Sequence, residues 1–195
     1  MEVESKTSFG GMESKSKEVK VVTGGKLRPF DLVLRVVALA LTLVAAVLLG
    51  VDKQTKVVSL QLLPTLPPMD VPVTAKWRYL SAFVYFVVSN AIACSYAALS
   101  LLLSVGNSKG NKGLGLAITV MDLVMVALLF SSNGAAGAIG LMGYEGNSRV
   151  RWGKVCNVFG KFCNQVAVAL GLSFFGGLAF FLLVVMAAFA LNKRH

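Results

Sequence analysis

The sequence predicts an all-α fold, a four-helix transmembrane bundle with both termini cytoplasmic. Three observations carry that reading. Of 195 residues, 56% are hydrophobic and only 14% charged, with a mean hydropathy of +0.73; a soluble domain carries about a quarter charged residues. A water-soluble fold of this length cannot hide so much apolar surface. The apolar residues are also gathered into four runs, each long enough to cross about 30 Å of hydrocarbon as a helix. A helix satisfies its own backbone there, which an open extended segment cannot do.

Residues 1–28 are polar, rich in Ser and Lys, and read as a disordered cytoplasmic tail. The transmembrane domain spans 29–192. Its helices are expected over about 31–51, 79–104, 114–138 and 166–191. Residues 52–78 form the first extracellular loop, and Pro64, Pro67, Pro68 and Pro72 make it read as irregular. The segment VGNSKGNKG at 105–113 is a short turn, so the second and third helices are antiparallel neighbours. Residues 139–165 form the second extracellular loop, and 193–195 a cytoplasmic end.

The orientation rests on charge. The chain has 19 basic and 9 acidic residues. Ten Lys and Arg fall in the tail, the 105–113 turn and the C-terminus, against seven in 52–77 and 144–165. The excess of basic residues belongs on the cytoplasmic side. The basic residues form no stripe interleaved with aromatics, so a nucleic-acid partner is not expected.

Arg35 and Asp122 each sit inside an apolar run. Either charge costs roughly 2.5–3.5 kcal/mol at a helix centre. Counted along their helices, they lie about 7 Å and about 13 Å from the same membrane face. An arginine side chain covers that difference, so an interhelical Arg35–Asp122 pair is expected. The other reading of Arg35 is snorkelling to the headgroups. For Asp122 the others are a protonated carboxyl bonded to a hydroxyl, or a group on an ion pathway.

Ala169, Ser173 and Gly177 follow one another at four-residue steps, as do Ala167 and Gly171. Such steps let helices approach closely, either within the bundle or between copies. Gly134, Gly137, Gly140 and Gly143 recur every third residue and either frame a packed face or loosen the helix end. Trp77, Tyr79, Tyr85 and Tyr96 read as interface anchors and core aromatics. In the second loop Trp152 reads as an anchor, and Cys156 and Cys163 are candidates for a disulfide on an oxidising side; free or intermolecular thiols are the other reading. No catalytic constellation, cofactor motif or metal-ligand cluster is readable. His195 is the sole histidine, and no enzyme activity, cofactor or metal is expected.

Three blocks together carry a resemblance: SAFVYFVVSNAIACSYAALS, MDLVMVALLFSS and GNSRVRWGKVCNVFGKFCNQVAVAL. With them the chain resembles the plant Casparian strip membrane domain protein-like family, which is related to the MARVEL tetraspan proteins. The resemblance covers roughly 30–190. It implies that Arg35 and Asp122 are the family's basic residue of helix one and acidic residue of helix three. It maps the loop Trp and Cys pair to Trp152, Cys156 and Cys163. It further implies a multi-pass plasma-membrane scaffold that contacts membrane lipid, forms homo-oligomers and joins hetero-oligomers with related members. Founding members organise a membrane domain and recruit wall-modifying enzymes, and carry an extra first-loop segment. KQTKVVSLQLLPTLPPMDVPVTAK lacks that segment, which points to the "like" subfamily. The alternative function is a small-solute or ion channel or transporter using Asp122.

Overall fold

The computed structural model describes residues 18–60, 69–106, 112–146 and 153–192. Four long helices dominate: α1 (Glu18–Gly50), α2 (Ser81–Gly106), α3 (Lys112–Glu145) and α4 (Gly160–Asn192). Within them lie four apolar stretches long enough to span a membrane, Pro29–Gly50, Ser81–Val105, Gly113–Glu145 and Gly160–Ala190. Each helix packs mainly against two neighbours, in the ring order α1, α2, α3, α4. α1 and α3 therefore face each other across a diagonal. One end of the bundle, the terminal end, carries the start of α1, the end of α2, the start of α3 and the end of α4. The opposite end is the loop end.

Several boundaries differ from those expected. α1 begins at Glu18, so residues 18–28, expected in the disordered tail, are helical. A helix propagates readily from an existing nucleus, and here the apolar span supplies one. Pro29 lies inside α1, where it removes one backbone hydrogen bond. α3 continues past 138 to Glu145. No proline interrupts 114–145, and Ile139 packs on the apolar cluster of the loop end. The helix stops at Gly146, whose φ of 72° is left-handed and whose N–H donates to Met142 O at 3.0 Å; that is the ending a glycine permits. α4 starts at Gly160, six residues before the expected 166.

The first loop is not irregular. β1 (Lys53–Leu60) and β2 (Met69–Lys76) form an antiparallel hairpin, with Lys53 opposite Lys76 and Thr55 opposite Thr74. The threonine hydroxyls lie 3.1 Å apart. Pro72 sits within β2 opposite Val57. Both strands of a two-stranded sheet are edges, so an N–H can be missing without breaking the ladder. A 3₁₀ turn, Trp77–Tyr79, then leads into α2. The hairpin also touches α4. Gln54 Oε1 accepts a hydrogen bond from Phe162 N at 3.0 Å, which satisfies one of the unpaired N–H groups at a helix start.

The interior is layered. Toward the terminal end lies an apolar cluster of Leu34, Ala38, Ala93, Ala97, Met125, Leu129, Ala179, Phe180 and Leu183. Toward the loop end lies a second one, with Ala45, Leu49, Phe83, Phe86, Ala136, Phe159, Phe162, Val166 and Ala169. Between them each helix contributes small polar residues: Thr42, Ser89 and Asn90, Ser132 and Asn133, and Ser173. All are buried except Asn133, which is half-buried. Thr42 Oγ1 returns to Ala38 O at 2.8 Å and Asn90 Nδ2 to Phe86 O at 2.9 Å. Asn133 Nδ2 donates to Leu129 O and across to Ser173 Oγ, at 2.9 and 3.0 Å. That last bond ties α3 to α4 at mid-bundle.

Ala169, Ser173 and Gly177 all face inward. Ala169 joins the loop-end cluster and Ser173 meets Asn133. A Cβ on Gly177 would come within 3.3 Å of the Phe130 ring. The adjacent Gly176 is tighter: a Cβ there would sit 3.1 Å from Thr42 Cγ2, so it sets the α1–α4 approach. Gly171 lies in the open, with nothing within 4 Å of the position of a Cβ. Gly176→Leu is therefore expected to destabilise the bundle by about 1–3 kcal/mol through overpacking, while Gly171→Leu leaves it unchanged. Unfolding of the two variants in mixed micelles checks this.

At the loop end Asp52 stands two residues beyond the end of α1. It is 3% exposed, and its Oδ2 has no hydrogen-bond partner. Burial pushes its carboxyl up to about 6, with Lys161 nearby pulling the other way. The folded chain thus holds this proton more tightly than the unfolded chain, whose value is 3.8. The contribution is full below 3.8 and is lost as pH rises through 6. Stability measured across that window should fall with rising pH, and Asp52→Asn should flatten the profile.

Candidate functional site

The candidate site lies in the terminal half of the bundle, where three helices converge on one guanidinium. Arg35 of α1 is 4% exposed and turned inward rather than toward the headgroups. Asp122 of α3 is 1% exposed. The structure brings the two together across the diagonal of the ring. Arg35 Nη2 donates to Asp122 Oδ2 at 3.2 Å and Nη1 to Asp122 Oδ1 at 3.3 Å. This two-pronged contact uses the planar fork of arginine, which a lysine cannot reproduce.

The remaining donors are also used. Nε reaches Asp31 Oδ2 at 3.1 Å and Nη2 reaches Asp31 Oδ1 at 3.4 Å. Asp31 is one turn earlier on α1, so it meets Arg35 by helical spacing alone. Its side chain keeps 35% of its surface open. Nη1 also donates to Ser100 Oγ at 3.0 Å, and that hydroxyl donates onward to Ala97 O at 3.0 Å. Tyr96, one turn before Ser100 on α2, donates to Asp122 Oδ1 at 2.7 Å. Ile118 O lies 2.9 Å from the same hydroxyl. The Tyr96 ring in turn packs against Phe180 of α4, with centroids 6.0 Å apart. All four helices thereby contribute to one cluster.

Two carboxylates face one guanidinium, so the formal charge of the cluster is negative. Both carboxylates meet the guanidinium at two points, but Asp122 is fully buried while Asp31 is half-buried. Every nitrogen of Arg35 and both oxygens of Asp122 are engaged. Such an arrangement fixes which helix faces meet and at what height. It adds less to net stability, because desolvation cancels much of the attraction.

Arg35 and Asp122 stand out in the sequence as charges within apolar runs, whereas Asp31, Tyr96 and Ser100 join them only in the structure. Asp31 carried a visible signal, its four-residue spacing from Arg35. In the sequence Tyr96 reads as an interface anchor or core aromatic, but its hydroxyl is part of the cluster. Its spacing from Ser100 puts both on one face of α2, a pattern that many interior faces share.

The cysteine pair lies at the loop end. Cys156, in a 3₁₀ turn (Val155–Asn157), is disulfide-bonded to Cys163 in the first turn of α4, with Cα atoms 5.7 Å apart. Phe159 and Phe162, inside that small ring, insert into the loop-end cluster, and Phe162 meets Phe83 edge-on at 6.0 Å. Trp152 lies outside the described residues, as does His195. Cys94 is a free thiol in α2. Among the described residues no group of three metal-ligating side chains occurs.

Tyr96→Phe removes a charge-assisted hydrogen bond and should cost about 1.5–3 kcal/mol, with the fold retained. Asp122→Asn leaves the guanidinium without its buried counter-charge and should cost about 3–5 kcal/mol. Micelle unfolding of the two variants side by side reads both effects, and equal losses would refute the ranking.

Comparison with known proteins follows the same outline. A model of the Casparian strip membrane protein domain matches residues 24–179. The chain is 57% identical to CASP-like protein 1E2 of Glycine max over 185 residues, covering 95% of this chain and 99% of the relative. It is 57% identical to CASP-like protein 1E1 of Populus trichocarpa over 194 residues, covering 100% and 99%. It is 53% identical to CASP-like protein 1E1 of Arabidopsis thaliana over 192 residues, covering 98% and 100%. No solved structure matches. Four membrane-length helices and a matching family domain agree, and the chain belongs to the Casparian strip membrane protein domain family as a CASP-like, multi-pass membrane protein.

Proposed function

We propose that the protein is a non-enzymatic plasma-membrane scaffold, with both termini cytoplasmic, that self-associates laterally and joins related family members. In this reading it organises a membrane domain or recruits wall-modifying partners at the loop end. The family description refers to the Casparian strip, which fits a role in a membrane domain beside a cell wall. The basic tail meets anionic lipid or cytosolic partners. Its lysines are diluted by Glu2, Glu4, Glu13 and Glu18, so the electrostatic attraction per basic residue is partly offset.

The observation that carries the reading is the saturation of Asp122. A transported ion or proton needs a carboxylate that can open to water. Here both oxygens are held by Arg35 and Tyr96, and the side chain is 2% exposed. That favours an architectural group over an ion-pathway group. The orientation is supported by the distribution of basic residues and by the disulfide, which persists on an oxidising side.

Two measurements on the full chain test this. Fluorescence recovery after bleaching should show patches of slowly exchanging protein in the plasma membrane. Purified protein in liposomes should leave ion flux at the level of protein-free vesicles. Flux that Asp122→Asn abolishes, with freely mobile protein in cells, would replace the scaffold by a transporter.

A further inference from the structure

The interior changes character halfway along the bundle, and it does so on all four helices. On α1, Ala38 belongs to the terminal cluster and Ala45 to the loop-end cluster, with Thr42 between them. On α2, Ala93 and Phe86 bracket Ser89 and Asn90 in the same way. On α3, Leu129 and Ala136 bracket Ser132 and Asn133, and on α4, Ala179 and Ala169 bracket Ser173. The brackets on α1, α2 and α3 each span seven residues, about 10 Å of helix, so the polar side chains share one layer. Its fully buried side chains are only Thr, Ser and Asn, and the α4 bracket adds the buried Gly176 and Gly177. The clusters on either side are filled by larger residues, Phe86, Leu129, Phe180 and Leu183 among them, so this layer is where the interior has room.

Three polar atoms of the layer are buried without a protein partner: Ser89 Oγ, Asn90 Oδ1 and Asn133 Oδ1. Other interior hydroxyls return to a carbonyl of their own helix, Thr42 to Ala38, Ser100 to Ala97 and Ser132 to Leu129. Ser89 does not. Neither amide gains by being turned round, because each Nδ2 already donates to a carbonyl, that of Phe86 or of Leu129, and reversal would set oxygen against oxygen. Surrounding hydrocarbon offers such groups nothing. We propose that the layer is a binding site for ordered water, which donates to Asn90 Oδ1 and Asn133 Oδ1 and accepts from the Ser89 hydroxyl.

The unpaired set matches what water supplies. A water brings two donors and two acceptors. Two amide oxygens and one hydroxyl use three of these, and a buried water makes about three hydrogen bonds. A cation is the other ligand that amide oxygens attract. None of the four brackets contains an acidic or basic residue, so a cation would bring an uncompensated charge into a low-dielectric interior, at a cost that neutral dipoles do not offset. A polar group from a second copy has no access, since Ser89 is 1% and Asn90 0% exposed. Apolar clusters close the layer toward both ends, which makes it a sealed site and not a passage. The water also completes a belt. Asn133 of α3 already bonds Ser173 of α4, and water joins it to Ser89 and Asn90 of α2.

Pulsed X-ray radiolysis of the purified full-length protein in micelles tests this. The pulse converts bound water to hydroxyl radicals, which oxidise adjacent side chains, and peptide mass spectrometry locates the products. Phe86 and Leu129, whose carbonyls hold the two amides, are both 0% exposed. They should be oxidised faster than Phe162 and Leu183, which are 6% and 2% exposed but stand away from the layer; radicals from bulk solvent would give the reverse order. Asn90→Leu combined with Asn133→Leu removes both acceptors and fills the layer, and should abolish the excess at Phe86 and Leu129. Ser89→Ala removes a single hydroxyl, should weaken the excess, and serves where the double variant fails to fold. Rapid mixing into heavy-oxygen water before the pulse should put the isotope on the exposed Tyr144 at once and on Phe86 only after a delay. Oxidation of Phe86 and Leu129 no faster than of Phe162 and Leu183, an excess that survives these substitutions, or equal arrival of the isotope at Tyr144 and Phe86 would each overturn the proposal. So would a melting temperature raised by sodium or potassium chloride over choline chloride at equal ionic strength, which would put a cation in the layer.

Discussion

Hydrocarbon cannot solvate a charge, and this bundle buries two in its terminal half. An arginine and an aspartate buried among apolar helices must find each other or lose several kcal/mol. Here they meet across the diagonal of the four-helix ring, between helices that are not ring neighbours. That choice constrains more than a neighbouring pair would. For Arg35 to reach Asp122, α1 and α3 must stand at one height and turn these faces inward, and α2 must present Tyr96 and Ser100 between them. The Tyr96 ring then carries the constraint to Phe180 on α4. In lipid there is no hydrophobic drive to bring helices together, so polar contacts of this kind and close packing select the arrangement.

The rest of the interior extends the same logic toward the loop end. A layer of small polar residues at mid-bundle adds an α3–α4 bond through Asn133 and Ser173. Gly176 admits Thr42 against α4. At the loop end the disulfide, the phenylalanines it encloses and the Gln54 contact hold the hairpin and the connection before α4 onto the helix ends. A bundle locked at three levels has little reason to open a passage.

Much of this was legible in the sequence because the relevant residues carry a high energetic cost where they stand. Arg35 and Asp122 interrupt apolar runs, and the expense of that placement marks them without any structure. The spans were legible for a similar reason: length and composition leave no soluble alternative. The partners of the pair were harder to see. Tyr96 and Ser100 are ordinary residues for an interior helix face, and only the rotation of α2 shows that they point at the charges. The hairpin was hidden by its own prolines. Pro72 suggested an irregular loop, yet a two-stranded sheet accepts proline in a strand because every strand is an edge. Helix ends are not legible where a boundary depends on tertiary contacts, as at α3, which runs to Glu145 with Ile139 packed, and α4, which starts at Gly160 beside Gln54 and the disulfide.

The central claim is that Arg35 and Asp122 are energetically coupled and hold the register of the bundle. A double-mutant cycle on Arg35→Leu and Asp122→Leu, read by reversible unfolding of the full-length protein in mixed micelles, addresses it directly. Arg35→Leu strands the buried Asp122 and Asp122→Leu leaves Arg35 only the half-buried Asp31, whereas the double change strands neither member of this pair. The account predicts a double variant more stable than either single one, with a coupling of about 2–3 kcal/mol. Additive losses, within about 0.5 kcal/mol, would mean that the two side chains act independently and that something else sets the arrangement of the helices.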